Sequence, residues 1–169
     1  MIFDHWMQRN YSHVPFERYA DDAVCHCRTE SLVKQLKADL ELRFGECGLE
    51  LHPGKTKIVY CKDEDRKGDY PVMQFDFLGY TFRPRISINR RGKFFENFTP
   101  AISNKAAKAI RHKVRSWNWQ LRPGDTLEDL ALECNPIIRG WINYYGRFNP
   151  SAMSGILHHK LALGALGNL

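Results

Sequence analysis

FERYADDAVCHC, residues 16–27, sets two adjacent carboxylates, Asp21 and Asp22, between two short runs rich in aromatic and β-branched residues. The runs FERY and AVCHC predict two strands with ADD at the turn between them. A tight turn pinned on both flanks by ladder hydrogen bonds holds its side chains firmly. Adjacent carboxylates repel each other, so such a pair favours solvent or a cation. Their hard oxygens suit Mg²⁺, and paired Mg²⁺ ions serve phosphoryl transfer by binding both the attacking and the leaving oxygen. By itself, Asp-Asp is equally an ordinary polar turn, so the flanking sequence has to decide.

Working outward, residues 30–47 predict a helix, because Leu32, Leu36, Leu40 and Phe44 recur every four residues, Thr29 can cap the start and Gly48 can end it. HPGKT is a turn, KIVYC (57–61) predicts a third strand, and KDEDRKGD is an exposed loop. MQFDFLGYTF predicts a strand, and RISI and KFFENF predict a hairpin around NRRGK. After Thr99 the pattern becomes helical. Ser103 caps a segment reaching about Trp117, and Thr126 with Asp129 opens a short helix. Asn135 and Pro136 look like the cap and first residue of a separate helix carrying Ile137, Ile138, Trp141, Ile142 and Tyr145. Residues 151–163 predict a last helix. The expected class is therefore α+β, with a boundary near residue 99 between an α+β part (1–98) and an all-helical part (99–169).

Of the 169 residues, 43% are hydrophobic and 12% aromatic, enough for a core. No apolar run reaches membrane-spanning length and the start lacks a signal-peptide pattern, so the expectation is a cytoplasmic protein with no membrane partner. Five cysteines without a CxxC pair predict reduced thiols. Cys25, His26 and Cys27 alternate across a strand and read as packing residues, not zinc ligands. His158 and His159 read as surface residues.

The net charge is +6, and residues 99–169 carry +5 of it. The stretch 81–115 has ten basic residues against Glu96 alone, which points to a polyanion such as nucleic acid. At about 100° per residue, Lys105, Lys108, His112 and Arg115 share one side of the 103–117 helix, opposite Ala106, Ala107, Ile110, Val114 and Trp117. Lys105, Lys108, Arg111 and Arg115, with Arg90 and Arg91 in the NRRGK turn, are the candidate RNA-binding residues. A solvated lysine face is the alternative.

YADD between two short strands resembles the catalytic hairpin of reverse transcriptases. GLELHPGKTKI (48–58) resembles the next motif of group II intron reverse transcriptases, and FDFLGYTF (75–82) the one after. NPIIRGWINYYG (135–146) resembles the signature of their maturase, or thumb, domain. The resemblance spans about residues 3–160. It implies the C-terminal part of a polymerase palm over 1–98, with short antiparallel strands, the YADD hairpin and one helix. An all-helical thumb, or maturase-specific domain, would follow over 99–169. It implies an RNA-directed DNA polymerase that also assists splicing and mobility of its intron RNA. By the same resemblance Asp21 holds Mg²⁺ and Asp22 supports it, Lys55 neutralises the triphosphate or its pyrophosphate, Tyr19 and Ala20 lie beside the nucleotide or primer end, and Phe77, Leu78, Gly79 and Tyr80 grip the primer. The implied partners are intron RNA, an RNA/DNA primer-template and dNTP.

Two departures qualify this. The family's catalytic site takes another aspartate from a strand far upstream of YADD, whereas MIFDHWM already falls in the helix before YADD; Asp4 lies on that helix and does not replace it. The family continues beyond the position of Leu163 with a Trp and a basic segment, whereas here the sequence reads LALGALGNL. The expectation is a chain truncated at both ends, with a frameshift near residue 163, and inactive alone unless a second chain supplies the upstream half. A non-catalytic RNA-binding module and a non-functional remnant are the alternatives.

Overall fold

The computed structural model describes residues 2–165 of the chain, with side chains from Phe3 to Leu157. The expectations for His158 and His159 and for the ending at 166–169 fall outside these. Five α-helices and two small antiparallel sheets are present among the described residues. They group into two compact units, one up to Ile58 and one from Val59 on.

The first unit contains α1 (Ile2–Asn10), β1 (Phe16–Tyr19), β2 (Asp22–Cys25) and α2 (Glu30–Glu46). β1 and β2 pair antiparallel from Phe16↔Cys25 to Tyr19↔Asp22, so the turn is the two residues Ala20 and Asp21, and Asp22 already belongs to β2. Thr29 caps α2 by accepting the Leu32 N–H. The helix ends in a Schellman motif: Gly48 takes φ +68°, its N–H donates to the Gly45 carbonyl (3.1 Å), and the Leu49 N–H donates to Phe44 (2.8 Å). The apolar spacing of α2 serves a core of Met7, Tyr11, Val14 and Leu36, with Leu32, Leu40, Phe3, Trp6 and Phe16 against it. Cys25 and Cys27 pack on this core and His26 is exposed. Burial, then the neighbouring Cys27, pushes the Cys25 thiol up to about 11, so it stays protonated near neutral pH.

KIVYC is not a strand. The Tyr60 N–H donates to Val72 (2.9 Å), but one bond makes no ladder. The loop is closed by side chains instead: Tyr60 and Tyr70 stack at 4.3 Å, and the Gly68 N–H donates to the Tyr60 hydroxyl (3.2 Å).

The second unit opens with a sheet in the order β3 (Phe75–Phe77), β4 (Tyr80–Ile88), β5 (Phe94–Ile102). β4 and β5 pair without a bulge from Tyr80↔Ile102 to Ile88↔Phe94. Alternation therefore puts Tyr80, Phe82, Pro84, Ile86 and Ile88 on one face with Phe94, Glu96, Phe98, Pro100 and Ile102, and Thr81, Arg83, Arg85 and Ser87 on the other with Phe95, Asn97, Thr99 and Ala101. Helices α3 (Asn104–Ser116), α4 (Leu127–Tyr145) and α5 (Pro150–Ala165) follow, with a 3₁₀ turn at Trp119–Leu121. Ala107, Ile110, Met153, Ile156 and Leu157 form the core, joined by Ile102, Val114, Ile138, Trp141 and Tyr145.

Besides KIVYC, other features differ from the sequence expectation: MQFDFLGYTF is not one strand, because the FLGY turn folds it into β3 and the start of β4. β5 runs on to Ile102, so the composition change at residue 99 falls inside a strand whose last residue packs with the helices. The two helices expected around 126 and 135 are one, α4, with Pro136 in its interior. The capping box of Thr126 and Asp129 starts it, and nothing stops it before Pro136. Losing the Pro136 N–H costs about 3 kcal/mol, but Cys134 on one side, and Ile138 and Trp141 on the other, pack into the unit. Apolar side chains of this size are worth about 1.5–3 kcal/mol each when fully buried. The apolar face of α3 packs on α5 through Met153, Ile156 and Leu157 and on α4, where Trp117 stacks on Trp141 at 5.9 Å.

Candidate functional site

The YADD turn stands at an exposed tip. Tyr19, Ala20, Asp21 and Asp22 are all exposed, and Ala20 takes φ +51° to close the two-residue turn. Beneath it, Arg18 shares the inward face of β1 with Phe16. Its guanidinium binds Asp4 of α1 through two bonds, Nε to Oδ1 (2.8 Å) and Nη2 to Oδ2 (3.2 Å). Its Nη1 donates to the Ala20 carbonyl (2.6 Å). Arg18 thus ties the turn to the preceding helix, and its bond holds the Asp4 carboxyl below the usual carboxylate range. Asp4 is spent on this pair and does not join Asp21 and Asp22.

No group of three or more His, Cys, Asp or Glu side chains placed to hold a metal exists among the described residues. Asp21 and Asp22 have the right donor chemistry for Mg²⁺, which is commonly held by one or two carboxylates with water and phosphate oxygens completing its octahedron. They fit part of a metal site, not a whole one. Lys55 lies in the exposed turn closed by the Lys55 and Thr56 N–H groups donating to His52 (3.1 and 2.9 Å), and among the described residues it joins no ion pair.

The FLGY turn lies in the second unit. Phe77 and Tyr80 pair across it, and Leu78 (φ +49°) and Gly79 (φ +80°) make the two left-handed steps of a type I′ hairpin. The end of α4 clamps this turn. The Tyr144 hydroxyl donates to the Leu78 carbonyl (2.9 Å), the Tyr80 hydroxyl donates to the Tyr144 carbonyl, and the Ser103 N–H donates to the Gly79 carbonyl (2.9 Å). The Tyr80 ring sits among Tyr144, Tyr145 and Phe148, and burial raises its hydroxyl pKa above the ordinary value. Tyr80 is thus buried at its ring, whereas Leu78 in the same turn is 38% exposed.

On α3, Lys105, Lys108, Arg111, His112, Lys113 and Arg115 are exposed, whereas Ala107, Ile110 and Trp117 are buried. The helix has no acidic residue, and among the described residues none of its cations joins an ion pair. Arg90 and Arg91 stand exposed at the β4–β5 tip, where Asn89 Oδ1 accepts the N–H groups of Arg91 (2.9 Å) and Lys93 (3.0 Å).

Residues 1–82 match the family "Reverse transcriptase (RNA-dependent DNA polymerase)", and residues 107–162 match "Group II intron, maturase-specific domain". Together the two matches support a fragment of a group II intron reverse transcriptase/maturase. No curated protein and no solved structure gives a significant match. The reverse transcriptase segment contains the YADD turn, Lys55 and FLGY; the maturase-specific segment contains Lys108, Arg111, Arg115 and Tyr144, whose hydroxyl clamps the FLGY turn. No described helix of this reverse transcriptase/maturase chain is long and apolar enough to cross a membrane.

Sequence reasoning missed the Arg18–Asp4 tie and the tyrosine clamp. The first left one signal: an arginine two residues from Phe16 in a strand shares its face, and an inward cation needs a carboxylate. The clamp joins residues 64 and 66 positions apart, and no local pattern announces it.

Proposed function

We propose that this chain binds structured RNA through the outer face of α3, with Arg90 and Arg91 adding contacts. The observation that carries this reading is the division of α3. Its apolar side is buried, and its cationic side is exposed and without ion-pair partners among the described residues. On this reading residues 99–169 act as the thumb or maturase-specific domain, and intron RNA is the partner. Filter binding across a salt series tests it. Changing Lys105, Lys108 and Arg115 together to Ala is expected to lower the slope of log affinity against log salt by about two to three units, at about 0.7–0.9 per phosphate contact. The fold should survive, because exposed substitutions rarely cost much. An unchanged slope with intact circular dichroism would remove α3 from the interface.

Residues 1–98 are, on the same reading, the C-terminal part of the palm, with Asp21 and Asp22 as two of its metal-binding carboxylates. Lys55 would face the triphosphate, Tyr19 and Ala20 the nucleotide or primer end, and Phe77–Tyr80 the primer. When bound, Mg²⁺ would supply charge stabilisation for phosphoryl transfer. Two exposed carboxylates, with no third metal-binding side chain grouped with them among the described residues, give a weak site, so calorimetry on residues 1–169 is expected to find Mg²⁺ binding only at millimolar concentrations. Asp21→Asn should weaken it further. Micromolar binding would mean that other ligands complete the site.

A further inference from the structure

Besides the α3 face, the second unit carries a second strip of uncompensated positive charge. Strand alternation sends Thr81, Arg83, Arg85 and Ser87 of β4 to the sheet face opposite the largely apolar one, across from Ala101, Thr99, Asn97 and Phe95 of β5, with Ala101 buried at its Thr81 end. The nearest acid on this face, Asp76 of β3, accepts the Thr81 hydroxyl. Arg83 and Arg85 are two residues apart on one strand, roughly 7 Å. Among the described residues neither forms an ion pair. Arg83 is exposed. Arg85 is half-buried and laid along the sheet, its Nε donating to the Thr99 carbonyl (3.3 Å) and its Nη2 to the Thr81 carbonyl (3.2 Å). Burial, then the neighbouring Arg83, lower its pKa from the ordinary arginine value. Two like charges held together with no counter-charge leave a place for an anion.

We propose that this polar face of the β4–β5 hairpin is a track for the phosphates of a single-stranded nucleic-acid segment. The proposal rests on the RNA-binding reading above but uses a different surface. Cations repeating along one strand suit successive phosphates of an extended backbone. The strip is only two strands wide, about 5 Å between them, which accommodates one backbone and not two. Phe95, half-buried on the same face, offers a ring against which a base can stack.

The experiment is fluorescence anisotropy on the full 169-residue chain. The probes are a short oligouridylate RNA, which has no duplex, and a structured RNA hairpin. Arg83→Ala, at an exposed position, is expected to lower the oligouridylate salt slope by about 0.7, and Arg83→Ala with Arg85→Lys to weaken binding further. Circular dichroism should be unchanged, and the α3 triple variant should leave the oligouridylate slope intact. A folded Arg83→Ala protein with wild-type slope and affinity for oligouridylate overturns the proposal while leaving the α3 reading standing. Equal loss of both probes in both sets of variants also overturns it, since that would mean one common surface. Wild-type protein that binds neither probe overturns both readings.

Discussion

Replacing Gly79 by alanine is expected to destabilise the second unit by about 2–4 kcal/mol. A residue with a side chain pays about 1–2 kcal/mol to hold a left-handed backbone, and Gly79 sits at φ +80°. The new Cβ would also stand 2.9 Å from the Tyr145 hydroxyl and 3.2 Å from its ring. Tyr145 packs against the core and against Tyr80 and Tyr144, so it cannot swing away freely. Overpacking of this kind costs about 1–3 kcal/mol. Urea denaturation followed by tryptophan fluorescence measures the loss, because three of the four tryptophans, Trp117, Trp119 and Trp141, lie in this unit. Making the same change in a Tyr145→Phe background removes the hydroxyl and should recover part of the loss. No recovery would show that the backbone alone sets the cost.

Met153→Ala is expected to cost about 2–5 kcal/mol, the range for truncating a buried side chain of this size. Met153 is 2% exposed and lies at the meeting of α3 and α5. Met153→Leu, which conserves volume, should cost less than about 1.5 kcal/mol. Met7 holds the equivalent place in the first unit, at 1% exposure, and Met7→Ala should lower the stability of that unit by a similar amount. Hydrogen exchange separates the two: each variant should raise exchange chiefly among the amides of its own unit. Equal rises across both units would show that they unfold together.

What the sequence determined by itself was local. The YADD hairpin follows from two short strand runs flanking a polar pair, and the structure pairs them from Phe16↔Cys25 to Tyr19↔Asp22. The caps at Thr29, Ser103 and Thr126 each need only a side chain within three residues of the amide it accepts from, and all three form. The cationic and apolar sides of α3 follow from helical period alone. Tertiary structure decided whatever depends on a partner distant in sequence. KIVYC has the composition of a strand, but strand character is a property of pairing, and it finds no ladder. Pro136 is a good first residue of a helix, yet it sits inside α4 because residues on both sides of it are buried. In α5 nearly every residue is apolar or small, so periodicity marks no face; packing selected Met153, Ile156 and Leu157 for the core. Asp4 became the anchor of Arg18, because the inward guanidinium lies within hydrogen-bond reach and gains more from a carboxylate than from water. The FLGY turn is closed by its own left-handed backbone, but it is held in place by tyrosines far along the chain, which only the packing of α4 on the sheet brings there.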